Sequence, residues 1–266
     1  MDVPSEKYAL ITGSASGMGR EYACLLAASG YAIVAVDRNE ASNCALCDML
    51  RATYGVMAEA VTLDLAEADA ADRLLAILGE KAVAVEVLIC NAGMLAFGGF
   101  ASLEKGKVEQ LLGLHIATHT RLVHTLGRSM RAQKRGYVLW VSSAAASLPY
   151  PSIALYAATK SYVKSLAEAL HDEWAQDGVV VTALCPGAVD TPFYELDDVW
   201  RKWLLRFGVL LTPREVAYRA LRALFKGRKR ITPGWVAKAM VLCGGLIPSW
   251  VIRCVVRLGR VKKLLA

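Results

Sequence analysis

The sequence predicts an α/β fold, a doubly wound and mostly parallel sheet with helices on both faces. Apolar, strand-like runs alternate with helical stretches, and a glycine-rich turn follows the first run. The runs are continuously apolar, as expected for a parallel sheet that is covered on both sides. The predicted strands are 7–12, 31–36, 57–63, 85–90, 136–142 and 179–185. At 266 residues, the chain suits a single α/β domain.

The first strand leads through a glycine-rich turn into an amphipathic helix. The turn reads Thr12-Gly13-Ser14-Ala15-Ser16-Gly17-Met18-Gly19. A helix N-terminus offers free N–H groups and the positive end of the helix dipole to a diphosphate. Glycine permits the tight turn, the approach of backbone to phosphate and close helix packing. The predicted dinucleotide contacts here are Gly13, Ser14, Ser16, Gly17, Met18 and Gly19.

The second strand ends at Asp37, followed by Arg38. A carboxylate at this point accepts hydrogen bonds from both hydroxyls of an adenosine ribose and repels a 2′-phosphate. Asp37 therefore favours NAD(H) over NADP(H). Arg38 acts in the other direction, because a cation just after the strand can accommodate a phosphate.

Tyr156 and Lys160 are four residues apart and share one face of a predicted helix. An unperturbed tyrosine titrates near ~10, and a nearby cation lowers that value. Such a tyrosine can act as an acid or base at neutral pH. Ser143, thirteen residues before the tyrosine, can hydrogen-bond the same substrate oxygen.

In order and spacing, these motifs resemble the short-chain dehydrogenase/reductase family over residues 7 to 233. The resemblance implies a Rossmann fold. It also implies that Ser143, Tyr156 and Lys160 are the catalytic serine, tyrosine and lysine. Cys90 stands where the family usually has a second asparagine. The further cofactor contacts that the resemblance implies are Asp64, Leu65, Asn91, Ala92, Gly93, Tyr156, Lys160, Pro186, Gly187, Val189 and Thr191.

The resemblance also implies a mechanism. Tyr156 exchanges a proton with the substrate oxygen while a hydride passes between the substrate carbon and the nicotinamide. Ser143 orients that oxygen, and Lys160 bonds the nicotinamide ribose and lowers the pKa of the tyrosine. The cofactor supplies the redox chemistry and the protein positions it.

His115 departs from the family pattern. Many members carry an asparagine here, whose backbone carbonyl holds a water that connects the lysine to solvent. Two interpretations remain open. The imidazole relays protons itself, since its ordinary pKa is near ~6.5, which makes His115 a candidate catalytic residue. Alternatively, it only fills space with one satisfied hydrogen bond.

The remaining composition predicts a reduced, cytoplasmic protein. The N-terminus is acidic and polar, unlike a signal sequence. The seven cysteines are scattered, and the single C-x-x-C of Cys44 and Cys47 has no second pair. We therefore predict no metal site.

The last quarter of the chain is strongly basic. Residues 1–199 hold 15 Lys and Arg against 23 Asp and Glu, whereas residues 200–266 hold 16 against one. We predict a catalytic domain over residues 1–233 and a basic amphipathic helical extension over 234–266. Three roles for the extension remain open: docking on its own domain or a second subunit, lying on anionic lipid, and forming a lid. No binding motif accompanies the charge, so nucleic acid is not a predicted partner.

The segment after Thr191 is where the family builds substrate specificity. Its aromatic and leucine side chains, over residues 193–207, predict an apolar pocket, and Arg201, Lys202 and Arg206 could meet an anionic group. The predicted function is hydride transfer between NAD(H) and a secondary alcohol or ketone of a steroid-like or lipid-like substrate. The alternatives are a 3-ketoacyl-thioester reductase of lipid synthesis that uses NADPH, and a catalytically lapsed dinucleotide-binding scaffold on a membrane. The family's usual mode of assembly predicts a homo-oligomer formed through residues 104–132 and 153–176.

Overall fold

A central sheet of seven parallel strands organises the protein, whose structure is a computed structural model that describes residues 7–191, 201 and 204–243. Two further strands, β7 and β8, pair with each other apart from it. The strands are β1 Tyr8–Thr12, β2 Ala32–Asp37, β3 Ala58–Thr62, β4 Val85–Cys90, β5 Gly136–Val141, β6 Val179–Leu184, β7 Ala188–Val189, β8 Leu210–Leu211 and β9 Arg230–Ile231. The six predicted strands are confirmed, each within one residue at either end.

The strand order of the central sheet is β3-β2-β1-β4-β5-β6-β9. The chain moves outward in one direction from β1 to β3 and in the other from β4 to β9, so the order reverses between β1 and β4. All neighbouring strands are parallel. In such sheets, ligands bind at the carboxyl ends of the strands beside this reversal. The doubly wound parallel fold predicted from the sequence is confirmed.

Helices cover both faces of the sheet. One apolar core lies between the sheet and α3, α5 and α6, and the other lies under α1, α2 and α7. The helices are α1 Gly17–Ala27, α2 Glu40–Tyr54, α3 Ala70–Glu80, α4 Lys105–Leu112, α5 His119–Ala132, α6 Ala154–Trp174, α7 Pro213–Phe225 and α8 Trp235–Cys243. The strands are buried on both faces because each core covers one side, which explains their continuous apolar sequences.

Local sequence explains where several helices begin. Asn39 caps α2 by accepting a hydrogen bond from the Ser42 N–H, and Thr212 caps α7 by accepting one from the Glu215 N–H. Both are residue types that favour this position. Between α4 and α5, residues Gly113–Thr118 form a single π-helical segment. Segments of this kind are often found at functional sites.

The predicted C-terminal extension begins with α8. Of the basic amphipathic extension predicted over residues 234–266, the structure describes residues 234–243, and the rest lies outside the described residues. Among residues 7–191, 201 and 204–243, no helix combines the length and apolar character needed to cross a membrane. The boundary at residue 233 stays a prediction.

Candidate active site

A cavity of about 390 Å³ opens where the strand order reverses, at the carboxyl ends of the strands. It brings together the glycine turn, the strand ends and the candidate catalytic groups, as the sequence predicts. The predicted residues that line it are Gly13, Ser16, Gly17, Met18, Asp37, Arg38, Asp64, Leu65, Asn91, Ala92, Gly93, Ser143, Tyr156, Lys160, Pro186, Gly187, Val189 and Thr191. Ser14, Gly19 and His115 lie behind this lining.

The glycine turn has the shape that a diphosphate requires. Gly13 and Gly17 have φ values of +67° and +52°, which favour glycine. A Cβ on Gly19 would lie 1.8 Å from the Gly13 carbonyl oxygen, so this position admits no side chain. Ser16, the N-cap of α1, makes no side-chain capping bond, and the first N–H groups of a helix have no intrahelical acceptor. These residues fit the phosphates of a dinucleotide.

Ser14 is buried and turned away from the cavity. Its hydroxyl donates to Asn43 Oδ1 at 2.8 Å, and Asn43 Nδ2 donates to the carbonyls of Ala35 and Val61. The side chain therefore ties the turn to α2 and to two strands. Asn43 could not be predicted as a site residue, because a lone asparagine within a helix gives no signal of a partner 29 residues away.

Thr12 and Asn91 fasten the turn to β4. The Thr12 hydroxyl donates to the Ile89 carbonyl and accepts from the N–H groups of Asn91 and Ala92. Asn91 Nδ2 donates to the carbonyls of Thr12 and Gly13 at 3.0 and 3.1 Å. Asn91 thus connects the end of β4 to the glycine turn through two backbone carbonyls of the turn.

Asp37 stands at the end of β2 and is held on both carboxylate oxygens. Oδ2 accepts from the Ala15 N–H at 3.0 Å and Oδ1 from the Asn39 N–H at 2.9 Å. Arg38 is exposed, and its guanidinium lies 3.9 Å from Asp64 Oδ2. The carboxylate of Asp37 is therefore fixed at the cavity wall, whereas Arg38 reaches into solvent.

The candidate catalytic groups come from β5 and α6. Lys160 is buried, donates to the Val141 carbonyl at 3.0 Å and lies 5.7 Å from the centre of the Tyr156 ring. Burial lowers the pKa of Lys160 to about 8. Ser143 Oγ accepts a hydrogen bond from the Ala145 N–H. Ser142, which no sequence motif marked, donates to the Lys160 carbonyl at 2.7 Å and fixes α6 against β5.

His115 lies in the π-helical segment, buried behind the cavity wall. Its ring meets the Tyr156 ring edge-on, with centres 5.8 Å apart. Nε2 accepts a hydrogen bond from the Met94 N–H, and Nδ1 is 2.9 Å from Thr159 Oγ1. The expectation of one satisfied hydrogen bond is wrong, because both ring nitrogens are engaged.

The substrate side of the cavity is bordered by α8 and by the chain around Thr191. A Cβ on Gly187 would lie 3.2 Å from the Ala237 Cβ, which places α8 directly against the Pro186-Gly187 turn. Arg201 forms two hydrogen bonds to the Asp190 carboxylate, at 2.7 and 2.9 Å. The predicted aromatic pocket falls mostly on residues 192–200, 202 and 203, outside the described residues.

This fold and site define a dinucleotide-binding oxidoreductase, and comparison with known proteins agrees. A family model described as short chain dehydrogenase matches residues 7–201. The chain belongs to the short-chain dehydrogenase/reductase family, as its sequence motifs predicted.

Hydroxysteroid dehydrogenases are among its relatives. The 17-beta-hydroxysteroid dehydrogenase type 3 of Rattus norvegicus is 28% identical over 91% of this chain and 77% of that protein. A solved 7beta-hydroxysteroid dehydrogenase, studied for its stereoselectivity, is 26% identical, covers 89% of this chain and 91% of its own, and has a TM-score of 0.82. A short-chain dehydrogenase from Sphingobium yanoikuyae in complex with NADPH is 26% identical over 96% of this chain and 95% of its own, with a TM-score of 0.77.

Proposed function

We propose that the protein transfers a hydride between NAD(H) and a secondary alcohol or ketone of an apolar, steroid-like or lipid-like substrate. The observation that carries this proposal is the convergence of Ser143, Tyr156 and Lys160 with the glycine turn on one cavity. A nicotinamide dinucleotide, when bound, supplies or accepts the hydride. The glycine turn, Asp37, Asn91 and the chain from Pro186 to Thr191 would hold it.

Each catalytic side chain has a separate task. Tyr156 gives a proton to the substrate oxygen in reduction and removes one in oxidation. The Lys160 ammonium, 5.7 Å from the Tyr156 ring centre, stabilises the phenolate that remains after donation. The Ser143 hydroxyl accepts from the Ala145 N–H and has its own proton to donate to the same substrate oxygen.

A preference for NAD(H) follows from Asp37. The Ala15 and Asn39 N–H groups hold its carboxylate at the cavity wall. A 2′-phosphate beside this carboxylate would be repelled, whereas two ribose hydroxyls would donate to it. The exposed Arg38 guanidinium lies 3.9 Å from Asp64 Oδ2, so it would turn from that carboxylate if it met a 2′-phosphate.

An apolar substrate is supported by the side chains around the cavity and by the relatives. Met94 and Leu114 are apolar side chains of the cavity lining. The hydroxysteroid dehydrogenases among the relatives act on substrates of this kind. Arg201 forms two hydrogen bonds with the Asp190 carboxylate, so an anionic substrate group would compete with Asp190 for its guanidinium.

Two other functions make different predictions. A 3-ketoacyl-thioester reductase would prefer NADPH and acyl thioesters, and a lapsed scaffold would bind dinucleotide without turnover. Purified protein should be assayed with each of the four dinucleotides against 3-, 7- and 17-hydroxysteroids and their ketones, long-chain secondary alcohols and acyl thioesters. We expect turnover with NAD(H) and a steroid or lipid alcohol. Turnover confined to NADPH and acyl thioesters, or none at all, would overturn the proposal.

Contact with an anionic membrane is the second part of the proposal. Several apolar side chains at least half exposed lie on the segments that follow the carboxyl ends of the strands and on α8. They are Phe97, Phe100, Phe207, Trp235 and Leu242. This is the edge at which the cavity opens, so an apolar substrate could enter from lipid. Lys238 on α8 and the basic residues beyond it complement anionic headgroups.

Flotation with vesicles of phosphatidylcholine and phosphatidylserine tests this contact. Trp235→Ser/Leu242→Ser should lower the bound fraction severalfold. Met57→Ser is the matched control, since Met57 is half exposed but precedes β3 at the opposite edge of the sheet. Equal flotation of all three proteins would exclude α8 as a contact.

Homo-oligomerisation through α4, α5 and α6 is proposed as well, and light scattering after size exclusion measures it.

A further inference from the structure

His115 and Thr159 connect two parts of the site that lie on different segments of the chain. His115 Nε2 is 3.0 Å from the backbone nitrogen of Met94, which follows the Asn-Ala-Gly segment. His115 Nδ1 is 2.9 Å from Thr159 Oγ1, and the Thr159 hydroxyl is 2.8 Å from the Tyr156 carbonyl oxygen. The chain of hydrogen bonds therefore runs from the dinucleotide floor to the catalytic helix.

The donors fix the direction of every bond in this chain. A backbone N–H can only donate, so His115 Nε2 accepts and carries no proton. The Tyr156 carbonyl can only accept, so the Thr159 hydroxyl donates its single proton there. His115 Nδ1 must then carry the proton and donate it to Thr159 Oγ1. The imidazole is neutral, in the Nδ1–H form.

The surroundings keep the imidazole neutral. Burial is the largest cause that holds the pKa of His115 well below its ordinary value, and the neighbouring Lys160 and His119 act in the same direction. Protonation would also place an N–H against the N–H of Met94. An imidazole with both nitrogens engaged in this way does not exchange protons with Lys160 or with solvent.

The bridge sets the spacing of the catalytic groups. Thr159 immediately precedes Lys160, and its hydroxyl bonds the carbonyl of Tyr156. Gly93 lies close to both His115 and Lys160: a Cβ on Gly93 would lie 3.4 Å from His115 Nε2 and 3.6 Å from Lys160 Nζ. A change of either bridging residue would therefore let α6 move relative to the Gly93-Met94 segment. The reacting groups must align between this segment and α6.

We propose that His115 and Thr159 form a neutral hydrogen-bonded bridge that positions Tyr156 and Lys160 against the Gly93-Met94 segment, and that His115 carries no proton in the reaction. This inference rests on the proposed function and makes both residues positioning residues. The proposal gives His115 neither of the two roles that the sequence left open, proton relay or space filling; it gives the residue a positioning role instead.

Kinetics of matched variants test the bridge. His115→Asn and Thr159→Val should each lower kcat about tenfold, the value of roughly one hydrogen bond. Because both changes break the same bridge, the double variant should lose no more than about tenfold. Dinucleotide Kd should change less than about twofold. Thr159→Ser, which keeps the hydroxyl, should restore kcat, and His124→Asn, an exposed histidine of α5, is the control.

Other outcomes would overturn the bridge. A loss of several hundredfold in His115→Ala that added imidazole restores would show that the ring relays protons. Additive losses in the double variant would show two independent roles. Lower melting temperatures with unchanged kcat would show that the bridge only stabilises the fold.

A measurement without turnover separates the bridge from the proposed function. In protein labelled with ¹⁵N-histidine, NMR should show His115 as the Nδ1–H form at pH 6 to 8, with no titration. Titration of His115 near its ordinary pKa, or an Nε2–H form, would refute the bridge even if the enzyme is active. An Nδ1–H form in a protein without turnover would support the bridge and overturn the proposed catalytic function.

Discussion

Two sides of the cavity are built differently. The dinucleotide side is formed by the glycine turn and the neighbouring strand ends, and the substrate side is bordered by α8 and the chain around Thr191. On the dinucleotide side, polar side chains hold the glycine turn in place: Asn43 accepts from the Ser14 hydroxyl, and Asn91 donates to the carbonyls of Thr12 and Gly13. On the substrate side, large apolar groups such as Phe97 and Trp235 stand exposed. The first side can hold only one ligand shape, whereas the second can be altered without loss of the scaffold.

Of the changes that compare the two sides, the largest effect is expected in the glycine turn. Gly19→Ala places a methyl group 1.8 Å from the Gly13 carbonyl and 2.9 Å from Asn91 Nδ2. The turn must shift at a cost of about 3 kcal/mol, so dinucleotide Kd should rise about 100-fold, as measured by fluorescence quenching. Gly79→Ala, in α3 with no atom within 4 Å of the new Cβ, should leave Kd unchanged. A Kd for Gly19→Ala within threefold of the original would contradict this packing.

Asp37→Ser should change the choice of dinucleotide. Loss of one charge-assisted hydrogen bond to the ribose costs about 1.5–3 kcal/mol, so the ratio of kcat/KM for NAD(H) to that for NADP(H) should fall by at least about 10- to 100-fold. Asp48→Ser, in α2 outside the cavity lining, is the control. An unchanged ratio, with the melting temperature preserved, would refute the role of Asp37.

Much of the dinucleotide side could be predicted from the sequence, because glycine spacing and strand ends are local signals. Asn43 on that side, and Ser142 and Thr159 beside the catalytic groups, gave no signal because they act through partners that only the fold brings near. His115 was noticed by its place in the chain, but its two hydrogen bonds depend on the π-helical segment. On the substrate side, aromatic composition predicted an apolar environment but not the contact of α8 with Gly187.

Acid should lower the free energy of unfolding through the buried residue His119. Burial lowers the pKa of His119 from 6.5 to about 3. The unfolded chain takes up a proton below pH 6.5 and the folded protein does not until about pH 3, so stability falls as pH falls between these values. Urea unfolding should show a loss of about 1 kcal/mol per pH unit from His119. His119→Gln should reduce this slope; a slope equal to that of the original protein would contradict the assignment.

The smallest effect is expected on the substrate side. Phe97 is 67% exposed, and Phe97→Ser should raise KM for a steroid or lipid alcohol about threefold, equivalent to less than 1 kcal/mol. Dinucleotide Kd should not change. Met57→Ser, at the opposite edge of the sheet, serves as the control. A change in dinucleotide Kd, with KM unaffected, would show that the two sides are not separate.

Replacement of Tyr156 tests the central claim most directly. Tyr156→Phe removes the group that exchanges a proton with the substrate, so kcat should fall by about 10³-fold or more, while dinucleotide Kd stays within threefold. Tyr162→Phe, on the same helix with its hydroxyl paired to Thr120, should keep full turnover. Undiminished turnover in Tyr156→Phe would contradict the mechanism.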